Sequence, residues 1–140
     1  MPELEALIQR TIRDHHIDPQ RIYLTEFSMG GYGAWELAAR RPDLFAAVVP
    51  ICGGGDTKWA PSLKEVPLWA VHGAEDNTMD FPPIRSREMI QALRSAGGNP
   101  RYTELPGIGH DSWHKAYDPG SGIFTWMLHQ QRPRPQIARE

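Results

Sequence analysis

Several features that mark whole classes of protein are absent from this sequence. It has a single cysteine, Cys52, which cannot form an internal disulfide and whose place at the end of an apolar strand predicts a buried structural thiol. The longest apolar run, around residues 44–52, is far shorter than the roughly 20 residues of a membrane-spanning helix. The formal net charge is only −2, so neither nucleic acid nor a membrane is expected as a partner.

The N-terminus also lacks the pattern of a secretory signal, because residues 1–10 are amphipathic and acidic. The sequence as written therefore predicts a cytoplasmic protein, or a secreted one if a leader has been lost. A chain of 140 residues is long enough to bury a core and is expected to form one domain, over residues 1–131. The tail 132–140, with two prolines, is predicted to be disordered.

Helix and strand patterns alternate along the chain. Short apolar or β-branched runs predict four strands, at residues 21–27, 45–51, 67–72 and 101–105. Apolar residues at helical spacing predict helices at residues 2–14, 29–41, 80–96 and 122–130, with Asp80 as a cap and Ile84 facing inward in the third. This alternation predicts an α/β fold, a three-layer sandwich with a short, mostly parallel sheet of about four strands.

The first chemical signal lies at the junction between the first strand and the second helix. Ser28 follows the strand directly, and the helix begins without room for a loop. Such a turn exposes the serine hydroxyl and points the first N–H groups of the helix at whatever lies beside it. This is the pattern of a nucleophile elbow, usually G-x-S-x-G. Its second glycine is present as Gly30, but Glu26 replaces the first, where it would be strained or would place a carboxylate near the site.

Two further groups complete a candidate triad with Ser28. Asp76 follows the third predicted strand and His110 follows the fourth, and the carboxyl ends of parallel strands meet at one edge of a sheet. A serine needs a base to take its proton, and the base needs a carboxylate to fix its tautomer. The order Ser, Asp, His is that of an α/β-hydrolase and differs from the orders in chymotrypsin and subtilisin.

Each member of the triad has an alternative. Ser28 is also a residue type that caps helices. Glu75 and Asp80 are rival acids, and His72 and His114 are rival bases. His72 ends a buried strand, which favours a packed, hydrogen-bonded role, whereas His114 fits the wall of the site or the surface.

Three segments that occur in order carry a family resemblance, at residues 21–56, 66–79 and 102–113. They resemble the C-terminal half of the α/β-hydrolase superfamily, and within it the dienelactone-hydrolase and prolyl-oligopeptidase-like esterases. The resemblance extends over about residues 18–127. It implies a truncated α/β-hydrolase fold that lacks the N-terminal strands, and it implies no cofactor and no metal.

The resemblance also implies roles for individual residues. Ser28 is the nucleophile, Asp76 in the H-G-x-x-D segment is the acid, and His110 in the G-x-G-H segment is the base. The backbone N–H of Met29 supplies half of the oxyanion hole. The family's other donor lies on a loop that precedes the matched part, and one donor is worth about 3 kcal/mol, so slow catalysis is expected.

These features predict a serine hydrolase that cleaves small carboxylic esters through an acyl-enzyme. A peptidase is less expected, because amide cleavage needs more transition-state stabilisation than a reduced oxyanion site supplies. The aromatic candidates for an acyl or aryl pocket, each with a core or surface alternative, are Trp35, Trp59, Trp113 and Tyr117.

The first strand, residues 21–27, would be an unpaired sheet edge, so we expect a homo-oligomer, a dimer, that covers this strand or its flanking helix. The competing hypothesis is a catalytically impaired hydrolase-like module, or a fragment that associates with itself or with a partner that supplies the missing strands.

Overall fold

Helices and strands alternate in the computed structural model, which describes residues 1–78 and 85–133. The strands are β1 (Tyr23–Phe27), β2 (Ala47–Ile51), β3 (Trp69–Gly73) and β4 (Arg101–Leu105). The helices are α1 (Pro2–Asp14), α2 (Met29–Arg40), α3 (Ala60–Leu63), α4 (Ser86–Ser95), α5 (Trp113–Ala116) and α6 (Ile123–Leu128). The four strands and four longer helices match the predictions, whereas the four-residue helices α3 and α5 were not predicted.

Some predicted features fall outside the described residues. These are the helix cap Asp80, the inward-facing Ile84 and the tail from residue 134 onward. At the start of the predicted tail, the backbone N–H of Arg132 donates to the carbonyl of Gln20 at 3.0 Å, and the Gln20 side chain donates back to the Arg132 carbonyl at 2.9 Å. The chain is therefore held against the body of the domain at this residue.

The four strands form one parallel sheet in the order β1-β2-β3-β4. Tyr23 pairs with Ala47 at the start of β1, and Ile51 pairs with Val71 in the centre of the sheet. Every residue of β2 is buried, as expected for a central parallel strand covered on both faces. Within the described residues β1 and β4 have one strand neighbour each, so they form the two edges.

Two apolar clusters, one on each face of the sheet, give the domain three layers. One cluster includes Trp35, Leu37, Leu63, Met89, Ile90 and Leu93, from α2, α3 and α4. The other includes Val49, Ile51, Val71, Ile123 and Met127, from the sheet and α6. The predicted α/β sandwich with a four-stranded parallel sheet is thus confirmed. Among the described helices, none is long and apolar enough to cross a membrane.

Glycine allows the start of α2 and the loop after β4 to approach the sheet closely at its carboxyl edge. A Cβ on Gly31 would lie 2.5 Å from the carbonyl oxygen of Ile51, so only glycine lets the start of α2 pack against the end of β2. A Cβ on Gly73 would overlap the carbonyl oxygens of Ile108 and Gly109. The loop that carries His110 therefore lies directly on the last residue of β3.

This contact predicts that Gly73→Ala displaces the histidine loop. Overpacking of this kind costs about 1–3 kcal/mol, so we expect a clear drop in the temperature of thermal unfolding. Gly109→Ala is the matched control, because a Cβ there would meet nothing closer than the Glu75 carbonyl at 4.0 Å. Equal unfolding temperatures for the two variants, measured by circular dichroism, would contradict the proposed close packing.

Candidate active site

Ser28 occupies a strained turn between β1 and α2. Its backbone has φ 56° and ψ −125°, a left-handed φ that costs a residue other than glycine about 1–3 kcal/mol. The turn is held in place because the Ser28 N–H donates to the Ile51 carbonyl at 3.0 Å, and the Ser28 carbonyl accepts from the N–H of Tyr32 at 3.1 Å. Strain of this kind, maintained by the surrounding structure, is typical of functional sites.

Cys52, at the end of the neighbouring strand, also supports this turn. Its Sγ lies 3.2 Å from the Ser28 backbone nitrogen, and its own φ of 39° is in the left-handed region. The thiol is buried, and burial raises its pKa, which keeps it in the unreactive protonated form. The prediction of a buried structural cysteine is confirmed.

Glu26 is accommodated at the elbow through the glycine on the other side of Ser28. Glu26 lies in regular β-structure opposite Pro50, and the positive φ belongs to Ser28 instead. Its carboxylate lies against Gly30, where a Cβ would be only 2.5 Å from Glu26 Oε2. The expected strain at Glu26 is therefore absent, because Gly30 provides the space that the side chain needs.

The three residues of the predicted triad meet in a continuous hydrogen-bonded chain. Ser28 Oγ lies 2.7 Å from His110 Nε2, and His110 Nδ1 lies 2.9 Å from Asp76 Oδ2. A carboxylate only accepts, so the proton of the neutral imidazole lies on Nδ1 and Nε2 is free to accept from the serine hydroxyl. This arrangement can remove the proton from Ser28.

The Asp76 carboxylate is nearly inaccessible, with a side chain that is only 4% exposed. Burial alone would raise its pKa, but hydrogen bonds from His110, from the Thr78 N–H and from His72 outweigh burial and hold the pKa of Asp76 well below its usual range. The Thr78 N–H donates to Oδ1 at 3.0 Å. Asp76 is therefore a permanent anion at neutral pH.

His72 is buried, as predicted from its place on β3, and it also contacts Asp76. Its Nε2 lies 2.8 Å from Asp76 Oδ2, and its Nδ1 lies 2.9 Å from Ser86 Oγ. The contact with Asp76 was missed in the sequence. The signal for it was the four-residue spacing of the H-G-x-x-D segment, which turns directly from the strand into the loop.

Met29 is the first residue of α2, and the residue is 70% exposed. The first N–H groups of a helix have no partner within the helix, and the Ser28 side chain does not cap this end. The N-terminus of α2 and its positive dipole therefore lie next to the serine hydroxyl, where a developing negative charge would be stabilised.

The four aromatic candidates lie in different environments. Trp35 is fully buried in the core, at 0% exposure, so its prediction as a pocket residue is wrong: its position on the inner face of α2 places it in the core. Trp113 stacks on Phe27 at 4.7 Å, and its ring centre is 5.8 Å from that of His110. Tyr117 is half-buried, and its hydroxyl lies 3.0 Å from Thr25 Oγ1.

Trp59 lines a cleft that adjoins Met29, the residue after Ser28. This cleft has a volume of about 790 Å³ and lies between α2 and the loop after β2. Met29 and Tyr32 form one wall, Trp59 forms the other, and Glu36, Asp56 and Lys58 supply charged groups. In the described residues, no group of three or more His, Cys, Asp or Glu side chains is arranged to hold a metal ion.

The depressed pKa of Asp76 predicts how stability depends on pH. Because the pKa is lower in the folded state than the unfolded value near 3.9, Asp76 contributes stability above about pH 4 and loses this contribution as the pH falls through the folded pKa. Asp76→Asn should therefore be less stable than wild type at pH 7, with a smaller difference at pH 3. Urea unfolding of the two proteins at pH 7 and pH 3 measures their free energies of unfolding. A difference between the proteins that does not change with pH would contradict the assignment.

Comparison with known proteins relates this chain to esterases and to other hydrolases. No protein-family model matches the chain. The crystal structure of a thermostable esterase matches with a TM-score of 0.85 and 36% identity, over 93% of this chain and 36% of that one. A bifunctional acetylxylan esterase/xylanase from Neocallimastix patriciarum is 27% identical over 123 residues, which are 88% of this chain and 17% of that protein.

Acylaminoacyl peptidase from Pyrococcus horikoshii shares the fold, with a TM-score of 0.71 and 18% identity over 91% of this chain and 27% of that one. In these three comparisons the chain spans between 17% and 36% of the length of the other protein. The chain therefore has the fold of the α/β-hydrolase superfamily and is similar in sequence to its esterases.

Proposed function

We propose that this chain is a serine hydrolase that cleaves small carboxylic esters. The observation that carries the proposal is the continuous chain of hydrogen bonds from Ser28 through His110 to Asp76, with the serine on a strained turn at the carboxyl edge of the sheet. Similarity to a thermostable esterase and an acetylxylan esterase supports the reaction class.

The geometry supports a two-step reaction through an acyl-enzyme. His110 Nε2 takes the proton of Ser28 as Oγ attacks the ester carbonyl carbon, and Asp76 stabilises the resulting imidazolium. The tetrahedral intermediate collapses when His110 returns the proton to the leaving alcohol. Water then attacks the acyl-enzyme with His110 again as the base, which releases the carboxylic acid and restores the Ser28 hydroxyl.

The backbone N–H of Met29, at the positive end of α2, is the proposed donor to the carbonyl oxygen in both tetrahedral intermediates. A single donor of this kind contributes about 3 kcal/mol. With this one donor assigned, we expect the enzyme to favour activated esters over amides, because a better leaving group requires less stabilisation of the oxyanion.

The cleft beside Met29 is the proposed site for one of the two substrate groups. Its volume of about 790 Å³ is within the range of small-molecule sites, and Trp59 and Tyr32 offer aromatic surface to an acyl or aryl group. Trp113, on the His110 side, is the proposed wall for the other group. Tyr117 instead supports β1 through its contact with Thr25.

Hydrolysis of p-nitrophenyl acetate and butyrate tests the proposed function. We expect turnover by the wild type and a loss of about a thousandfold or more in Ser28→Ala, because no other group attacks the ester. Ser95→Ala, at the distant end of α4, is the matched control and should keep full activity. Hydrolysis that survives Ser28→Ala would remove this serine from the mechanism.

A fluorophosphonate probe adds a second test, because it needs only an activated serine. Labelling that is lost in Ser28→Ala, together with slow turnover, would support an enzyme limited by its oxyanion site. If the wild type shows no labelling and no turnover, the result would contradict the proposal and favour the catalytically impaired module.

We also propose that the protein forms a homodimer around β1 and α1. Among the described residues β1 pairs only with β2, and Phe27 at its end is 39% exposed. α1 has no buried residue, and Leu7 on its surface is 48% exposed. An unpaired strand edge flanked by exposed apolar side chains favours association with a second copy.

Light scattering coupled to size exclusion tests the dimer. We expect a mass of about twice 15.8 kDa at high micromolar concentration, and a shift to monomer in Leu7→Glu, because a charge would then be buried at the interface. Gln91→Glu is the matched control, because Gln91 is exposed on α4, which packs on β3 and not on β1. A monodisperse wild-type monomer would overturn the proposal.

A further inference from the structure

His72 has a place in the site that its role in packing does not explain. The same Oδ2 atom of Asp76 accepts from His110 Nδ1 at 2.9 Å and lies 2.8 Å from His72 Nε2. We propose that His72 is a positioning residue for the hydrolytic reaction, which fixes the Asp76 carboxylate and limits the negative charge that Asp76 offers to His110. This inference rests on the proposed function of the triad.

The protons in this network can be assigned from the partners. Burial lowers the pKa of His72 despite the hydrogen bond to Asp76, so the ring is neutral near pH 7 and carries one N–H. Because the Asp76 carboxylate only accepts, that N–H lies on Nε2. His72 Nδ1 is then an acceptor, and Ser86 Oγ donates its proton to it across 2.9 Å.

Ser86 has a second partner that fits the charged form of His72. Its Oγ lies 3.0 Å from the Gly53 carbonyl oxygen, which is an alternative acceptor for the same proton. If His72 becomes an imidazolium, Nδ1–H donates to Ser86 Oγ, and the hydroxyl turns to Gly53. The Ser86 proton can therefore lie toward His72 Nδ1 when the ring is neutral and toward the Gly53 carbonyl when the ring is charged.

The other charged groups around His72 already have partners. Glu104 accepts from Arg87 at 2.6 Å and from the Tyr102 hydroxyl at 3.0 Å. The guanidinium of Arg85 donates to the backbone carbonyls of Asp76 and Thr78, and the Arg85 N–H donates to Glu88. Among the described residues, Asp76 is therefore the carboxylate that lies within hydrogen-bonding distance of His72.

Sharing one oxygen between two N–H donors has two consequences. Together with the Thr78 N–H on Oδ1, the His72 contact fixes the carboxylate at both oxygens, so that it cannot rotate away from His110. The two donors also compete for the negative charge of Oδ2, so the hydrogen bond from His72 weakens the one that Oδ2 accepts from His110. Removal of His72 would give His110 the whole charge of a less firmly held carboxylate.

Two amide variants separate these effects from packing. His72→Asn keeps a polar group near Ser86 but is too short to reach Asp76, whereas His72→Gln places an N–H at about the reach of Nε2. We expect His72→Asn to lower kcat roughly tenfold with KM unchanged, and to move the acid limb of the pH–rate profile to higher pH by about one unit. His72→Gln should restore kcat and return the acid limb to its wild-type position.

Ser86→Ala is the matched control, because it removes the other partner of His72 but not the contact with Asp76. We expect it to lower the unfolding temperature as much as His72→Asn while the acid limb stays in place. If His72→Asn does not fold, His72→Leu removes the same contact with a side chain that fills the space.

Proton NMR tests the shared oxygen without any need for activity. The Nδ1 proton of His110 should give a low-field resonance that moves further downfield in His72→Asn and returns in His72→Gln. An unchanged resonance and acid limb in His72→Asn, with only the unfolding temperature lowered, would overturn the proposal. A wild type without esterase activity would instead overturn the proposed function, and the resonance would still show whether His72 shares the Asp76 oxygen with His110.

Discussion

The buried charge of Asp76 organises the carboxyl edge of this sheet. One carboxylate, removed from solvent, accepts hydrogen bonds from the loop after β3, from β3 itself and from the loop after β4. A buried anion without such donors would cost several kcal/mol, so these segments are held together by the need to solvate it. The position of His110, and through it the direction in which Ser28 loses its proton, follows from this requirement.

The nucleophile end of the site depends on a different constraint, which is backbone strain. Ser28 and Cys52 both adopt left-handed φ values at the ends of adjacent strands, and they contact each other through the Ser28 N–H and the Cys52 sulfur. The strain persists because β2 is buried along its whole length and cannot yield. The core of the domain thus holds the partly exposed serine at the start of α2.

Much of this arrangement could be predicted from the sequence, because the relevant signals are local. The alternation of apolar strands and amphipathic helices predicts the parallel sheet, and the parallel sheet places Ser28, Asp76 and His110 at one edge. Trp35 was assigned wrongly because an aromatic residue on α2 has the same sequence signal whether it faces the core or the site. The packing that decides between these faces comes from α3 and α4, which are distant in the sequence.

The contact between His72 and Asp76 shows a second limit of sequence analysis. Spacing brings the two residues to the same turn, but only the side-chain geometry shows that two histidines meet at one oxygen. Glu26 illustrates the same limit. The sequence indicates a missing glycine, whereas the structure shows that Gly30 accommodates the side chain from the other side of the turn.

The order of the strands in the sheet has a consequence for folding. Because β1 to β4 are neighbours in space in the same order as in the chain, each strand finds its partner after one short crossover. Pairing of this kind closes small loops and keeps the contact order low for a parallel sheet, which favours fast folding. Ser28 and Asp76 both follow strands that precede β4 in the chain, whereas the base follows β4. Ser28 can therefore contact its base only in a state in which β4 is already paired with β3, so a reactive serine requires the complete sheet.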